Sequence, residues 1–305
     1  MVADMSSRKI IYFINPISGT KGKQQLMELI AAQSKKENIP FEILFTTKEG
    51  DYSFLKHKIA EEKITDIVIC GGDGTINKIS SYLLNVSVNV GVIPMGSGNG
   101  LAYAAGISSN PKKALENIFR GTPQWIDGFY LNRHFSCMLS GLGFDAQVAH
   151  DFSHQKKRGL FTYIRLCVKN FFTSKNYAFD IEVNGKTMTT KALFVSIANS
   201  NQFGNNVTIA PNASLSDGLL DLIVVNKMNR LLTIFVLLKH LFQGKIENHE
   251  DLMSGKKGVY YIQAKKISIQ NPESAPLHID GEPVDTEKKI EVNIVENAIK
   301  LIQPI

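Results

Sequence analysis

The N-terminal part of the chain alternates short apolar runs with segments whose apolar residues recur at helical spacing. The apolar runs predict four strands, over Lys9–Ile14, Phe41–Phe45, Asp66–Cys70 and Val90–Pro94, of which Asp66–Cys70 has the pattern of a buried strand. The helical spacing predicts helices over Gln24–Ser34, Tyr52–Glu62 and Pro111–Phe119, and one more after each of the last two strands. Strands that alternate with helices in this way indicate a parallel sheet with right-handed crossover connections.

The pattern changes after about Trp125, where strand-like runs follow each other with turns between them. We predict strands over Trp125–Leu131, Arg133–Ser140, Phe179–Val183, Met188–Ala198, Leu219–Asn226, Lys265–Ile269 and Ile290–Ile294. Asn184-Gly185 between two of these runs is a strong hairpin signal. Two helical stretches, about 156–173 and 229–243, interrupt the strands. This part of the chain therefore reads as β-rich and mostly antiparallel.

A length of 305 residues allows two domains or one large one. The change of pattern favours two. We place an α/β domain with a parallel sheet over residues 1–128 and a β-rich domain over residues 129–305. The extreme C-terminus could pack back on the first domain.

Charge and composition narrow the class of protein. The net charge of +6 and a pI near 9.0 favour an anionic partner, such as a nucleotide, a nucleic acid or an acidic membrane surface. The three cysteines lack zinc-ligand spacing and argue against a disulfide framework, which favours a reducing cytoplasm. The apolar run at 231–238 is too short to span a bilayer, and residues 1–9 lack the apolar core of a signal peptide. We expect a cytoplasmic protein that touches membranes at most peripherally.

Three glycine-bearing turns follow predicted strands and precede predicted helices. They are Asn15-Pro16-Ile17-Ser18-Gly19, Gly71-Gly72-Asp73-Gly74-Thr75 and Gly96-Ser97-Gly98-Asn99-Gly100. Glycine lets backbone approach a ligand closely, and a helix N-terminus points N–H groups at an anion. The first turn alone is more simply an ordinary strand–helix connection. Because the carboxyl ends of parallel strands share one edge of the sheet, the three turns together predict a cradle for nucleotide phosphates.

Common nucleotide-binding motifs are missing from the sequence. It contains neither the Walker-type G-x-x-x-x-G-K-[ST] loop nor the H-R-D signature of protein kinases. Gly141-Leu142-Gly143-Phe144-Asp145-Ala146 formally matches G-x-G-x-x-A, but it does not lie in an N-terminal βαβ unit.

The set of motifs resembles the diacylglycerol kinase catalytic-domain family, which includes bacterial lipid kinases, sphingosine kinases and ceramide kinases. The resemblance rests on Asn15-Pro16-x-Ser18-Gly19, on Gly71–Asn77 and on Gly96–Asn99, and it continues through Gly141–Ala146, Ser216–Asp221 and Asp280-Gly281-Glu282-Pro283. It implies an N-terminal α/β nucleotide-binding domain, a C-terminal β-sandwich-like domain, and an active site in the cleft between them.

The resemblance also implies the site residues. ATP would bind against the three turns, with Thr46 nearby; the residues expected to bind it are Asn15, Ser18, Thr46, Gly71, Gly72, Asp73, Gly74, Thr75, Ile76, Asn77, Gly96, Ser97 and Asn99. Glu282 resembles the general base. Ser214, Asp217 and Leu219 resemble a structural Mg²⁺ loop that uses one carboxylate and two backbone carbonyls, a ligand set suited to a hard cation.

Two carboxylates carry the predicted catalysis, and each has a simpler interpretation. Asp73 could hold catalytic Mg²⁺ or a bridging water, or it could only cap the helix that follows it. Glu282 could take the proton of a lipid hydroxyl, or it could be a solvated hairpin residue beside Asp280-Gly281. With the whole motif set present, we favour catalytic roles for both.

The lipid acceptor stays open at this point. Many bacterial family members carry Asp where this chain has Gly100, which is closer to the sphingosine and ceramide kinases. The basic and aromatic residues of 156–175 suit either a membrane surface or a solvated face, and the apolar stretch 230–240 suits a core helix slightly better than a lipid contact.

We predict a kinase that acts on a lipid hydroxyl, either of diacylglycerol or of a sphingoid base, at a membrane surface. No motif for nucleic-acid recognition accompanies the basic charge, so we expect no nucleic-acid partner. An NAD kinase, which shares a Gly-Gly-Asp-Gly turn, and a non-catalytic nucleotide or lipid sensor are the alternatives. The oligomeric state is left open.

Overall fold

The computed structural model describes residues 8–16, 22–47, 49–155, 159–204, 207–208, 210, 212–226 and 258–305. The chain divides into two compact units. One comprises residues 1–126 and 297–305, and the other comprises residues 127–296.

The first unit is built on four strands and five helices in alternation within its described residues. They are β1 (Ile10–Ile14), α1 (Lys23–Lys36), β2 (Phe41–Phe45), α2 (Leu55–Glu62), β3 (Asp66–Gly71), α3 (Asp73–Tyr82), β4 (Asn89–Pro94), α4 (Gly100–Ala104) and α5 (Pro111–Arg120). These bounds agree closely with those predicted from the apolar runs. The side chains of β1 and β3 are buried along their whole length, as expected of a parallel sheet covered on both faces.

The strands of this sheet run parallel in the order β2–β1–β3–β4. The order reverses between β1 and β3, because β2 lies on one side of β1 while β3 and β4 lie on the other. In open α/β sheets, ligands bind beyond the carboxyl ends of the strands at this kind of reversal. The carboxyl ends here are Ile14, Phe45, Gly71 and Pro94, and they lie on one edge.

The second unit contains the remaining strands and two helices among the described residues. After β5 (Thr122–Leu131), which crosses the unit boundary, come β6 (His134–Ser136), β7 (Leu139–Gly143), α6 (Phe144–Ser153), α7 (Leu160–Thr173), β8 (Tyr177–Val183), β9 (Lys186–Ala198), β10 (Gln202–Gly204), β11 (Val207–Thr208), β12 (Leu220–Asn226), β13 (Val259–Ala264), β14 (Lys266–Gln270), β15 (Leu277–Ile279), β16 (Glu282–Val284) and β17 (Lys289–Gln303).

Pairing in the second unit is antiparallel. β9 lies between β7 and β8 and also pairs with β12, while β15 pairs with both β7 and β16. Asn184 (φ 51°) and Gly185 (φ 73°) form the tight turn between β8 and β9, which confirms the predicted hairpin. One apolar core is shared by strands from across the unit, including Phe129, Phe179 and Ile267. The predicted combination of an α/β domain and a β-rich domain is confirmed.

β17 contributes to both units. Its first residues pair antiparallel with β14, and Lys300 and Leu301 pair in parallel with Asn89 and Val90 of β4. The last nine residues of the chain accordingly belong to the first unit.

The prediction for the second unit was wrong at one strand and missed several elements. The single strand predicted over Arg133–Ser140 is two strands, because the chain bends at Cys137 and Met138. Helix α6 was missed, since its first residues belong to a glycine motif that reads as a turn. The strands β10, β11 and β13 and the pair β15–β16 were also not predicted. The helix predicted at 229–243 lies outside the described residues, as do residues 156–158 of the other predicted helix.

Candidate functional site

The carboxyl edge of the parallel sheet continues its hydrogen bonding into the loops. The backbone N–H of Asn15 donates to the carbonyl of Cys70 at 3.0 Å, that of Thr46 donates to Ile14 at 3.0 Å, and that of Met95 donates to Gly71 at 2.9 Å. These bonds keep the residues after β1, β2, β3 and β4 in register with each other. The predicted nucleotide-binding residues at these positions are therefore brought together along one edge.

The first and second turns are joined by side chains. The Asn15 amide nitrogen donates to the Thr75 hydroxyl at 2.8 Å. Thr75 also packs against Gly71, where an added Cβ would lie 2.7 Å from the Thr75 Cβ. Ser18, the other residue predicted in the first turn, lies outside the described residues.

The backbones of the second and third turns lie in close contact. A Cβ on Gly96 would lie 2.6 Å from the Gly72 Cα, so neither turn could keep its place with a larger residue there. Asn99 (φ 55°) closes the third turn, because its side chain accepts from the Gly96 N–H at 2.8 Å and donates to the Gly96 carbonyl at 2.9 Å. Three of the predicted nucleotide-binding residues, Gly71, Ile76 and Asn99, are buried and shape the cradle from within.

Asp73 connects the second turn to the third. Its carboxylate accepts hydrogen bonds from the backbone N–H groups of Gly100 at 3.0 Å and Leu101 at 3.4 Å, at the start of α4. It is the first residue of α3, and the N-cap of α3 is Gly72, which has no side-chain cap. The idea that Asp73 only caps the helix that follows it is therefore wrong: it binds the start of the next helix along.

An anion would meet a suitable environment where α3 begins. Helix N-termini carry partial positive charge and point N–H groups outward, and α3 starts directly after Gly72 with no side chain capping it. Gly72 and Gly74 add no side chain of their own to this backbone. Ser97 is exposed in the adjacent turn, where its hydroxyl can reach a ligand. Hydrogen-bond donors and a helix dipole at one edge are what phosphate groups require.

Thr46 lies in the loop after β2. Burial raises the pKa of the Tyr52 phenol, and a hydrogen bond to the Thr46 side chain opposes that rise. Lys78 packs against the same loop, since a Cβ on Gly50 would lie 2.8 Å from the Lys78 Cε. Lys78 is an exposed cation one turn beyond Thr75 on α3, and the sequence analysis overlooked it. The signal in the sequence was a lysine one helical turn after the last residue of the glycine turn, on the helix that follows it.

Glu282 follows a tightly held turn in the second unit. Asp280 (φ 47°) and Gly281 (φ 81°) connect β15 to β16, and Glu282 is exposed at the start of β16. The buried Asp280 carboxylate accepts from the Ser136 hydroxyl at 2.6 Å and from the Leu139 N–H at 2.9 Å. These bonds hold the turn against the bend between β6 and β7, and they explain why the predicted strand divides there.

A buried His–Asp pair supports the same turn from its other side. The Gly281 N–H donates to Nδ1 of His278 at 3.2 Å, and Nε2 of His278 lies 3.4 Å from the Asp145 carboxylate. Both side chains are nearly inaccessible to solvent. Gly141 leaves room for this carboxylate, because a Cβ there would lie 1.9 Å from Asp145 Oδ2. The motif Gly141–Ala146 was recognised from the sequence, but the roles of Asp145, His278 and Asp280 were not predicted.

The loop assigned to Mg²⁺ is ordered by carboxylates. Asp217 accepts from the Leu219 N–H at 3.0 Å within the loop. Asp127, which the sequence analysis missed, accepts from the Gly218 N–H at 2.8 Å and donates its own N–H to the Leu215 carbonyl at 2.6 Å.

Negative charge accumulates beside this loop. Burial raises the pKa of the Asp221 carboxyl to about 6; hydrogen bonds from Tyr261 and Gln263 oppose that rise, and the charge of Asp217 adds slightly to it. A cation held by Ser214, Asp217 and Leu219 would lower that electrostatic cost, and its ligands would all be oxygen atoms. Within the described residues, no three His, Cys, Asp or Glu side chains gather closely enough to hold a metal.

Comparison with known proteins identifies the family. Residues 9–130 match the model of the diacylglycerol kinase catalytic domain, and residues 139–303, more than half of the chain, match the YegS C-terminal NAD kinase beta sandwich-like domain. The chain belongs to the diacylglycerol kinase catalytic-domain family. The resemblance inferred from the motifs is thereby confirmed, and so is the sandwich-like character of the second domain.

Individual relatives span most of the chain at low identity. A Staphylococcus carnosus protein named diacylglycerol kinase is 26% identical over 278 residues, covering 90% of this chain and 88% of the relative. A Shewanella frigidimarina protein named "Probable lipid kinase YegS-like" is 28% identical over 260 residues, covering 82% and 80%. A crystal structure of a diacylglycerol kinase from Bacillus anthracis superposes with a TM-score of 0.71 at 19% identity, covering 97% of both chains, which shows a shared fold.

Proposed function

We propose that this protein is an ATP-dependent lipid kinase that transfers the γ-phosphoryl group to the hydroxyl of a lipid alcohol. The observation that carries the proposal is the contact of Asp73 with the start of α4. It fixes a carboxylate between two glycine turns at the carboxyl edge of a parallel sheet, in a chain whose family includes proteins named as lipid kinases.

The proposed nucleotide site uses backbone more than side chains. The phosphates would lie against the start of α3, with Gly71–Asn77 and Gly96–Asn99 as the cradle and Asn15, Ser18 and Thr46 at its rim. Asp73 would orient a Mg²⁺ ion or a water at the phosphates. Mg²⁺ would neutralise the phosphate charge during transfer. Positioning and charge neutralisation provide most of the rate enhancement in phosphoryl transfer.

Glu282 is the proposed general base. A lipid hydroxyl is weakly nucleophilic at neutral pH, and a carboxylate that accepts its proton assists the attack. The hydroxyl oxygen would form a bond to the γ-phosphorus as the bond from that phosphorus to the β–γ bridging oxygen breaks. The proton passes to Glu282, and ADP leaves. Asp280 and His278 hold the turn that carries Glu282, so the base would be positioned by buried groups.

A second cation role is proposed for the loop in the second unit. Ser214, Asp217 and Leu219 would hold a structural Mg²⁺ ion through oxygen atoms. Such an ion would tie the loop to the strand that follows and take no part in the transfer.

Diacylglycerol is the first acceptor to test, because a relative of this chain is named diacylglycerol kinase. A sphingoid base is the second, since Gly100 lacks the carboxylate of many bacterial family members. We propose a cytoplasmic protein that works peripherally at the inner face of a membrane.

One experiment separates the functions. The protein is incubated with labelled ATP, Mg²⁺ and, in separate reactions, diacylglycerol, a sphingoid base and NAD, and the products are resolved. Label on a lipid supports the proposal and names the acceptor. Labelled NADP would instead support an NAD kinase. ATP binding without transfer to any acceptor would support a nucleotide sensor and contradict the proposal.

A further inference from the structure

Helix α7 has an apolar outer face. Phe161, Ile164, Val168 and Phe172 follow each other at spacings of three or four residues, so they form one stripe along the helix. Their exposed fractions are 83%, 50%, 56% and 50%. Helices at the surface of a globular protein usually present polar residues to solvent, and contiguous exposed apolar patches mark interaction sites.

Other side chains of α7 account for its packing. Leu166 and Phe171 are buried, and the Asn170 amide donates to the Asp151 carboxylate of α6 at 3.1 Å. Phe152 of α6 meets Tyr163 edge-on with ring centroids 5.8 Å apart. Helix α7 is therefore held by these side chains, while at least half of each side chain in the stripe stays exposed.

Positive charge accompanies the stripe. Arg165 and Lys169 lie beside it on α7, and Lys175 follows the helix; all three are exposed. The helix contains no acidic residue, and the nearest ion pair is the 3.7 Å contact of Lys169 with Asp151 of α6. An apolar stripe bordered by cations is the pattern of a helix that lies in the interface of an anionic bilayer.

We propose that the Phe161–Phe172 stripe of α7 docks this protein on an anionic phospholipid bilayer. The apolar side chains would enter the boundary between headgroups and acyl chains, with Arg165 and Lys175 at the phosphates. The stripe is about 16 Å long at the helical rise, enough to lie flat in that boundary. Two copies pairing through the same face would bring cations together without acidic partners on α7, which disfavours self-association.

Docking would place the enzyme where a lipid hydroxyl lies, and in that respect the inference extends the proposed lipid kinase activity. It does not depend on that activity, because it rests on the exposed stripe and its charges. No helix among the described residues has the length and apolarity to cross a bilayer, so attachment through this part of the chain would be peripheral.

The test is sedimentation with vesicles. The full chain is mixed with vesicles of phosphatidylcholine alone or with phosphatidylglycerol added, and the bound fraction is measured. We expect binding to the anionic vesicles only, with loss on raising the salt concentration. Phe161→Asp should weaken that binding about tenfold or more. The variant should fold normally, because Phe161 is mostly exposed and an acidic residue suits the first turn of a helix.

Matched variants separate docking from general effects. Phe54→Asp removes another exposed phenylalanine, at the N-cap of α2, and should leave binding unchanged. Phe161→Trp, with Trp125→Phe to remove the chain's one tryptophan, should show a blue shift in emission on anionic vesicles. Equal binding by Phe161→Asp and the unaltered protein, or no binding by the unaltered protein, would overturn the proposal. If the unaltered protein forms a concentration-dependent dimer and Phe161→Asp does not, the stripe is a self-association face and the docking proposal fails.

Activity assays keep this proposal apart from the proposed function. Phe161→Asp should lose phosphorylation of vesicle-bound diacylglycerol but retain that of a short-chain, water-soluble diacylglycerol. If the unaltered protein binds vesicles yet transfers phosphate to no acceptor, the docking face stands and the kinase proposal fails. If Phe161→Asp retains full activity on vesicle-bound lipid, the docking proposal fails while the kinase proposal stands.

Discussion

The Asp73 carboxylate accepts a hydrogen bond from the backbone N–H of Gly100 at 3.0 Å. This bond joins the turn after β3 to the turn after β4, across 27 residues of sequence. The Leu101 N–H donates to the same carboxylate at 3.4 Å, so two backbone groups at the start of α4 meet Asp73. Asp73 therefore has a structural role, because it holds the two turns together, in addition to its proposed catalytic role.

Asp73→Asn tests the carboxylate charge. The amide oxygen can still accept from Gly100, so we expect the free energy of unfolding to fall by no more than about 1 kcal/mol. Transfer should fall by about 100-fold or more, since the charge at the phosphates is lost. Phosphate transfer and urea unfolding measure the two effects. Asp73→Ala should lose stability as well as activity, and a near-normal rate in Asp73→Asn would remove Asp73 from the mechanism.

Gly96→Ala tests the contact between the two turns. The new Cβ would lie 2.6 Å from the Gly72 Cα, so we expect a loss of about 1–3 kcal/mol in unfolding free energy and weaker ATP binding. Gly121→Ala is the matched control: its Cβ would lie 2.4 Å from the Gln303 carbonyl, away from the cradle. It should lose stability while ATP affinity, measured by calorimetry, stays unchanged. Equal ATP affinity in both variants would argue against the cradle.

Glu282→Gln tests the proposed base. The residue is exposed and the amide is nearly isosteric, so the fold and ATP affinity should be kept. The rate of transfer should fall by about 100-fold or more, at the lower end of what a general base contributes. Asp285→Asn, at an exposed position three residues beyond, serves as the control and should be fully active. Substantial activity in Glu282→Gln would leave the residue as a solvated hairpin position.

His278→Ala tests the support of the Glu282 turn. The Gly281 N–H would lose its acceptor and Asp145 would be buried without its partner, which together should lower the unfolding free energy by about 3 kcal/mol or more. We expect kcat to fall with little change in the KM for ATP, because the base is misplaced and the cradle is intact. Combining His278→Ala with Asp145→Asn should recover part of the stability. Strictly additive effects of the two substitutions would show that the pair is uncoupled.

Asp217→Asn tests the cation loop through stability. We expect Mg²⁺ to raise the melting temperature of the unaltered protein and to have little effect on this variant, because binding to the folded state alone stabilises it. Asp180→Asn, in a hairpin where the carboxylate accepts from Thr189, should respond to Mg²⁺ normally. The same Mg²⁺ response in Asp217→Asn and in the unaltered protein would show that the cation binds elsewhere.

Local pattern was sufficient for much of the fold. The strands β1, β3 and β4 are apolar runs followed by glycine turns, and the Asn184-Gly185 hairpin has residues that adopt positive φ readily. The split between β6 and β7 could not be predicted locally, because it depends on Asp280, which lies 144 residues after Ser136. The role of Asp145 was hidden for the same reason, since its partner His278 is 133 residues away.

The sequence by itself determined the order of strands and helices in the first unit, the three glycine turns and the resemblance to the family. These depend on short-range properties: the spacing of apolar side chains and the conformational freedom of glycine. Tertiary structure alone decided that Asp73 binds the start of α4, that a buried His–Asp pair holds the Glu282 turn, and that one face of α7 is apolar and exposed. Each of these depends on which distant residues the folded chain brings together, and residue type and spacing do not encode that directly.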